Sequence, residues 1–116
     1  MTVGIIGLGL IGGSMAKAVK IHTGNQVLGW DLAESVCYRA KLVGAVDGFL
    51  ENGSPAGCDL VIIALYPKET LEYVKSHRHE LKQDAIVVDC CGIKTHICEE
   101  ITPIARECGL QFVGGH

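Results

Sequence analysis

Three glycines near the start of the chain have the spacing of a phosphate-binding turn. They form a G-x-G-x-x-G pattern over residues 7–12, made of Gly7, Leu8, Gly9, Leu10, Ile11 and Gly12. In this pattern the first glycine makes a tight turn, the second lets the backbone approach a pyrophosphate, and the third lets a helix pack closely on a strand. The helix that begins there directs free N–H groups at the phosphates. These six residues therefore predict a dinucleotide-binding turn.

An acidic residue follows at the distance that this interpretation requires. Asp31 lies 24 positions after Gly7, at the end of a second predicted strand. A carboxylate there hydrogen-bonds the ribose hydroxyls of NAD and repels the 2′-phosphate of NADP, and the nearest arginine is Arg39. We therefore predict NAD as the cofactor. The alternative is that the glycines serve only a strand-to-helix turn and that Asp31 caps the next helix.

The elements that position these residues alternate along the chain. Short β-branched runs alternate with segments of helical periodicity, which indicates an α/β domain with a mainly parallel sheet. We predict strands at 2–6, 26–30, 59–64, 85–89 and 111–113, with a short edge strand within 45–51. Helices are predicted at 11–20, 36–43, from Pro67 to about Lys82, and 97–108. The expected fold is a Rossmann-type, doubly wound sheet with helices on both faces.

Composition limits the partners of the protein. The chain has 116 residues, the size of one domain, so residues 1–116 are predicted to be a single dinucleotide-binding domain. Its net charge of −3 argues against nucleic-acid binding, and no apolar run reaches the ~18 residues of a membrane span. Six cysteines without a secretion signal are expected to be reduced thiols. We therefore predict a cytoplasmic protein that acts on a small molecule and binds neither nucleic acid nor membrane.

The strand ends also supply a candidate base. Ligands of open parallel sheets bind beyond the carboxyl ends of the strands, where the predicted elements place Asp31, Tyr66, Asp89 and His116. Among these side chains only the imidazole of His116 exchanges protons readily near neutral pH. The simpler interpretation is that His116 belongs to a frayed end of the domain.

A group of soft ligands near residue 90 raises the question of a metal. Cys90, Cys91, His96 and Cys98 fall within nine residues, and such side chains can hold zinc. The spacing is poor, because there is no C-x-x-C pair and adjacent cysteines rarely both reach one tetrahedral ion. We predict no metal site. Nothing distinctive in the sequence supports the alternative that the adjacent Cys90 and Cys91 form a redox-sensitive pair.

Several motifs taken together resemble the prephenate dehydrogenase family of tyrosine biosynthesis, an aromatic amino acid pathway. The resemblance covers the whole chain and rests on the glycine turn, the strand that ends in Asp31, residues 44–47, residues 58–64 with Pro67, residues 89–94, and the Gly-Gly-His at 114–116. The Gly-Gly-His is the specific part, since many dehydrogenases share the glycine turn. The matching region is the family's N-terminal nucleotide-binding half, which is followed in the family by a helical C-terminal domain that dimerises.

The resemblance implies a reaction and further site residues. It implies oxidative decarboxylation of prephenate, or of the related arogenate, to an aromatic product, with hydride passing to NAD and His116 taking the proton of the ring hydroxyl. Gly92 stands where the family has a serine near the substrate hydroxyl. Lys94 either meets a substrate carboxylate or occupies a solvated first helical turn. Tyr66, before Pro67, either narrows the cleft or stacks on the nicotinamide.

Two other functions remain open on the sequence. One is another two-domain dehydrogenase, of the β-hydroxyacid or pyrroline-carboxylate type, which shares the glycine turn but not the Gly-Gly-His. The other is a non-catalytic NAD-sensing module. On the prephenate dehydrogenase interpretation, we expect the 116-residue chain to bind NAD but to turn over little prephenate, because the parent enzyme would be a homodimer completed by the C-terminal domain.

Overall fold

The computed structural model describes residues 1–90 and 111–114, in which strands and helices alternate. The strands are β1 (Thr2–Ile6), β2 (Gln26–Trp30), β3 (Gly48–Phe49), β4 (Leu60–Ile63), β5 (Ile86–Asp89) and β6 (Gln111–Gly114). The helices are α1 (Leu10–Thr23), α2 (Glu34–Leu42) and α3 (Pro67–His77), and a short 3₁₀ turn spans Glu51–Gly53. The helix predicted at 97–108 lies outside the described residues.

All strand pairs in the sheet are parallel, and the strand order is β3-β2-β1-β4-β5-β6. The chain winds outward from β1 in one direction and then returns to the other side of β1 with β4. The last residue of β1, Ile6, is in register with Trp30 at the end of β2 and with Ile63 at the end of β4. The predicted Rossmann-type, doubly wound sheet is confirmed, and its switch point lies between β1 and β4.

Apolar residues cover both faces of the sheet, because alternate side chains of each strand point to opposite faces. Val3 and Ile5 of β1 belong to a buried cluster that includes Ala16 of α1 and Ala40 of α2. Ile6 belongs to a second buried cluster, which contains Val61 and Ile63 of β4 and Tyr73 and Val74 of α3. The described helices therefore pack on both faces, α1 and α2 on one and α3 on the other.

Helix ends differ from the expected ones by a few residues. Helix α1 extends to Thr23 and stops at Gly24, whose φ of +66° is the left-handed geometry that ends many helices. Helix α3 ends at His77 rather than near Lys82. The Lys82 ammonium instead forms an ion pair with Asp59, just before β4, which ties the following turn to the sheet.

The first edge of the sheet is short. Strand β3 has two residues, which pair with Leu28 and Gly29 of β2.

No described helix is long and apolar enough to cross a membrane.

Candidate functional site

The carboxyl ends of β1, β2 and β4 surround a cavity of about 450 Å³ at the switch point of the sheet. It is lined by Gly7, Gly9, Ile11, Gly12, Asp31, Ala64, Leu65, Tyr66 and Glu69. A ligand site is expected at this place in an open parallel sheet. The cavity thus brings together the glycine turn, the acidic residue and Tyr66, which the sequence predicted separately.

The glycine turn is closely packed at its first and third glycines. Gly7 has a φ of +90°, and a Cβ there would lie 2.5 Å from the carbonyl oxygen of Ala64. A Cβ on Gly12 would lie only 1.7 Å from the carbonyl oxygen of Gly7. Since neither site accommodates a side chain, the two glycines are required for α1 to start directly after β1.

The middle glycine faces open space instead. A Cβ on Gly9 would meet no other atom within 4 Å, so the backbone there is accessible to a ligand. Helix α1 begins at Leu10, and its N-cap residue, Gly9, has no side chain to cap it. The first turn of α1 also contains no acidic residue. Its free N–H groups and helix dipole therefore favour an external anion.

Asp31 is held against the glycine turn by two backbone amides. Its Oδ2 accepts a hydrogen bond of 2.8 Å from the N–H of Leu8, and its Oδ1 accepts one of 2.9 Å from the N–H of Ala33. Because an ionised carboxylate offers about four lone-pair positions, each oxygen keeps one for a ligand hydroxyl. The Gly7 N–H donates to the carbonyl of Trp30 at 2.8 Å, so two hydrogen bonds join the turn to the end of β2.

The alternative role of Asp31, as a cap of α2, is met only in part. The residue at the N-cap position is Ala33, and no side chain caps this helix. The Asp31 carboxylate makes a local turn with Ala33 just before the helix, as aspartate commonly does two residues ahead of an amide. The bond to Leu8, across 23 residues of sequence, serves the glycine turn rather than the helix.

The opposite wall of the cavity is the link between β4 and α3. Pro67 opens α3, with Tyr66 in extended backbone before it, as the sequence predicted. The side chain of Tyr66 is 80% exposed. Buried Thr70 fixes this link, because its N–H donates to the Tyr66 carbonyl at 2.9 Å and its hydroxyl donates to the Leu65 carbonyl at 3.3 Å. A planar ligand in the cavity would therefore find the Tyr66 ring free to contact it.

The cavity also contains a carboxylate that sequence reasoning missed. Glu69, in the first turn of α3, lines the cavity together with Asp31. Among the described residues, two carboxylates and no basic side chain line the cavity, which disfavours the extra phosphate of NADP on both walls. Glu69 lies in the first turn of α3, whereas the strand-end rule selects only the residues directly after each strand. A pattern that includes the following helical turn would identify it.

A buried contact behind the cavity supports Trp30, the residue before Asp31. Gly53 has a φ of +72°, and a Cβ there would lie 3.0 Å from the Trp30 ring, so the backbone and the close contact both favour glycine. The hydroxyl of Tyr73, on α3, donates a 2.7 Å hydrogen bond to the Gly53 carbonyl. Burial raises the pKa of Tyr73, which keeps the hydroxyl protonated as a donor. Helix α3 thus supports both walls of the cavity.

Another cavity, of about 460 Å³, lies beyond the end of β3 and is less suited to a phosphate ligand. Its lining, within residues 1–90 and 111–114, includes Glu51 and Glu80 and no basic residue. Hydrogen bonds from Ser54 and His77 lower the pKa of Glu80, which keeps that carboxylate charged. Of these two cavities, only the one at the switch point has a glycine turn and a helix N-terminus.

Three predicted site residues, Gly92, Lys94 and His116, lie outside the described residues, as do most members of the zinc alternative. Strand β5 ends at Asp89, which is fully buried, and β6 ends at Gly114, in register with Asp89. The described part of the chain therefore brings together the coenzyme side of the predicted site.

Comparison with known proteins identifies the family. Residues 15–116 match the family described as "Prephenate dehydrogenase, nucleotide-binding domain". The chain belongs to this family. It is 34% identical over 115 residues to the prephenate dehydrogenase of Lactococcus lactis subsp. cremoris (strain MG1363), a match that covers 97% of this chain. The same match covers 32% of the Lactococcus protein, so the chain spans about a third of the length of that relative.

Solved structures show how widely the fold is shared. A prephenate dehydrogenase from A. aeolicus, in complex with hydroxyphenyl propionate and NAD+, aligns with a TM-score of 0.82 and 24% identity over 98% of this chain and 40% of that chain. A 3-hydroxyisobutyrate dehydrogenase from Mycobacterium tuberculosis also aligns with a TM-score of 0.82, at 23% identity over 96% of this chain and 38% of that chain. Both alignments confirm the Rossmann-type fold. Because their TM-scores are equal, it is the family match that assigns the chain to the prephenate dehydrogenase family.

Proposed function

We propose that this chain is the NAD-binding half of a prephenate dehydrogenase, which converts prephenate to 4-hydroxyphenylpyruvate by oxidative decarboxylation. The observation that carries the proposal is the Asp31 carboxylate, fixed by two amides at the rim of a cavity whose floor is the glycine turn. In a chain of this family, that arrangement has the chemistry needed for the adenosine ribose and pyrophosphate of NAD.

The residues of the cavity divide the binding of NAD between them. The turn formed by Gly7, Gly9 and Gly12 lets the pyrophosphate approach the N–H groups of Leu10 and Ile11 at the start of α1. The free lone pairs of the Asp31 carboxylate accept hydrogen bonds from the two ribose hydroxyls. Leu8 has a different role, because its side chain is buried in the core while its N–H orients Asp31.

The remaining wall positions the rest of the coenzyme. Tyr66 and Pro67 lie beside the cavity at the start of α3, where the exposed ring of Tyr66 offers a flat apolar surface. NAD, when bound, supplies the hydride acceptor for the reaction. Asp31 and Glu69 both oppose the 2′-phosphate of NADP by charge, which supports NAD as the coenzyme.

The substrate side of the proposal rests on sequence. His116 follows the last residue of β6 by two positions, and we assign it as the base that takes the proton from the ring hydroxyl of prephenate. Lys94 is proposed to meet a substrate carboxylate, and Gly92 to leave the space where the family has a serine. A homodimer formed through a helical C-terminal domain and a cytoplasmic location stay predictions.

Two measurements test the proposal. The first is a titration of the chain with NADH, followed by the fluorescence of Trp30, which is the only tryptophan and directly precedes Asp31. Saturable quenching by energy transfer to NADH is expected. No binding of NAD or NADH would refute the cofactor assignment.

The second measurement uses the complete enzyme and prephenate-dependent NADH formation. His116→Ala should lower kcat by ~10²-fold or more, as loss of a general base does, and leave the Kd for NAD unchanged. His22→Ala, on the exposed end of α1, is the matched control and should retain full activity. Unaffected turnover in His116→Ala would exclude the assignment and favour another dehydrogenase class.

A further inference from the structure

A cavity of about 400 Å³ between α1 and α2 has a lining unlike that of the coenzyme cavity. The two helices contribute its walls, and its lining includes Leu8, Ser14, Lys17, Val36, Arg39 and Val43. It is separated from the coenzyme cavity by the glycine turn, whose residue Gly9 belongs to both linings. No step of the proposed reaction uses this cavity between α1 and α2.

The charged residues that the structure describes in this lining are both positive. Lys17 lies on α1 and Arg39 on α2, and none of the described lining residues is acidic. Within residues 1–90 and 111–114, neither cation has a hydrogen-bond or ion-pair partner. Lys20 and Lys82, by contrast, are paired with Asp47 and Asp59. Two unpaired cations on facing walls, in a chain of net charge −3, favour an anionic occupant.

The floor of the cavity is apolar. Leu8, Ala40 and Ala45 are buried and form its base, and Val36 and Val43 extend the apolar surface toward the rim. Small-molecule sites typically combine an apolar lining of this size with a few polar groups that fix orientation. An apolar body fits the floor, and an anionic head then lies between the ammonium and the guanidinium.

We propose that this cavity binds a small organic carboxylate with an aromatic or branched apolar body. The carboxylate meets Lys17 and Arg39 at the rim, and the apolar body covers Leu8 and Val36. Because Leu8 also donates its N–H to Asp31, a ligand here contacts the residue that orients the coenzyme carboxylate, without entering the coenzyme cavity. The proposal does not depend on the reaction that the enzyme catalyses.

Phenylacetate, with ten non-hydrogen atoms, is the probe, and its neutral isostere phenylacetamide is the ligand control. Each is titrated into the ¹⁵N-labelled chain and followed by amide chemical shifts. Phenylacetate should bind with a Kd on the order of millimolar, as expected for a ligand of this size, and should move the amide signals of Gly13, Ser14 and Val43. Phenylacetamide should bind at least threefold more weakly. Higher ionic strength should weaken the binding of phenylacetate only.

Variants then test the two cations. Lys17→Gln and Arg39→Gln should each weaken phenylacetate binding about two- to fivefold, the range expected for an exposed charge contact. Lys75→Gln, which removes an exposed cation from α3, is the matched control and should leave the Kd unchanged. Equal affinity for the two ligands, shifts centred on Asp31 and Leu65, or no effect of either cation would each overturn the proposal. Competition by NADH would do so as well, because the two cavities would then not be separate sites.

Discussion

Substitution of Asp31 by asparagine is the most direct test of the coenzyme site. Asparagine has nearly the same shape, but it carries no charge and has one acceptor oxygen instead of two. In the structure, both carboxylate oxygens are already engaged by amides, of Leu8 at 2.8 Å and of Ala33 at 2.9 Å. The variant therefore loses charge-assisted bonds to the ribose and must also turn its NH₂ toward one of these amides.

The expected effect follows from the two ribose hydroxyls. Hydrogen bonds to a charged group contribute ~1.5–3 kcal/mol, and those between neutral groups ~0.5–1.5 kcal/mol, so each ribose bond weakens by about 1 kcal/mol. For two bonds the loss is about 2 kcal/mol, or about thirtyfold in the Kd for NAD. For NADP the loss is offset because the repulsion between the carboxylate and the 2′-phosphate disappears. The preference for NAD over NADP should therefore fall, by about thirtyfold if the relief of repulsion offsets the NADP loss completely.

The assay is the quenching of Trp30 fluorescence by NADH and by NADPH, with the melting temperature of each variant measured in parallel. Asp84→Asn is the matched control, since it removes the same charge from an exposed turn. Its φ of +64° suits asparagine. The control should bind both coenzymes as the unsubstituted chain does. If Asp31→Asn binds NADH within twofold of the unsubstituted chain and its preference is unchanged, the assigned role of Asp31 is wrong.

Four further substitutions test the glycine turn, the buried hydroxyl of Tyr73 and one ion pair. Gly12→Ala should destabilise the fold by about 3 kcal/mol and abolish NAD binding, because its Cβ would lie 1.7 Å from a backbone oxygen. Gly9→Ala has open space around the added Cβ, so it should melt within a few degrees of the unsubstituted chain but bind NAD about tenfold more weakly. Equal melting temperatures of the two variants would contradict the geometry. Tyr73→Phe should lower the free energy of unfolding by ~1–3 kcal/mol in urea, since it leaves a buried carbonyl without its donor, and an unchanged midpoint would refute this. The ion pair with Lys20 lowers the pKa of Asp47, so its stabilisation is present above about pH 4 and is lost as the pH falls further. The free energy of unfolding of Asp47→Asn should therefore be lower than that of the unsubstituted chain by under ~1 kcal/mol at pH 7 and equal to it near pH 2. A difference that persists at low pH would argue against the ion pair.

The sequence predicts the sheet well, and it predicts that the glycine turn and Asp31 lie together, because both features depend on local patterns. Buried parallel strands are nearly continuous apolar runs, and Leu60–Ile63 and Ile86–Asp89 match that pattern closely. The glycine turn is equally local, since steric exclusion at Gly7 and Gly12 determines which residues can stand there. The relation between this turn and Asp31 was predictable because β1 and β2 are adjacent parallel strands.

Contacts between distant elements were not predictable in the same way. The support of Trp30 by Gly53 and Tyr73 joins β2, the 3₁₀ turn and α3, and no periodicity in the sequence relates these three segments. The end of α3 was also missed, because the apolar pattern continues to Leu81 while the chain turns after His77 and Lys82 pairs with Asp59. In each case a tertiary contact decides what a local pattern leaves open.

The bond between Leu8 and Asp31 has a consequence for how coenzyme preference can change in this fold. Replacement of Asp31 itself by a cationic residue would remove the acceptor of the Leu8 N–H, in a part-buried position. A buried donor without a partner costs ~1–3 kcal/mol, which is comparable with the gain from one new phosphate contact. Because this cost falls on the fold with either coenzyme, a cation placed at position 31 needs a second change, a new acceptor for the amide of Leu8, if the domain is to keep its stability. The Asp31 carboxylate is thus fixed by the glycine turn itself, in addition to its proposed contact with the coenzyme.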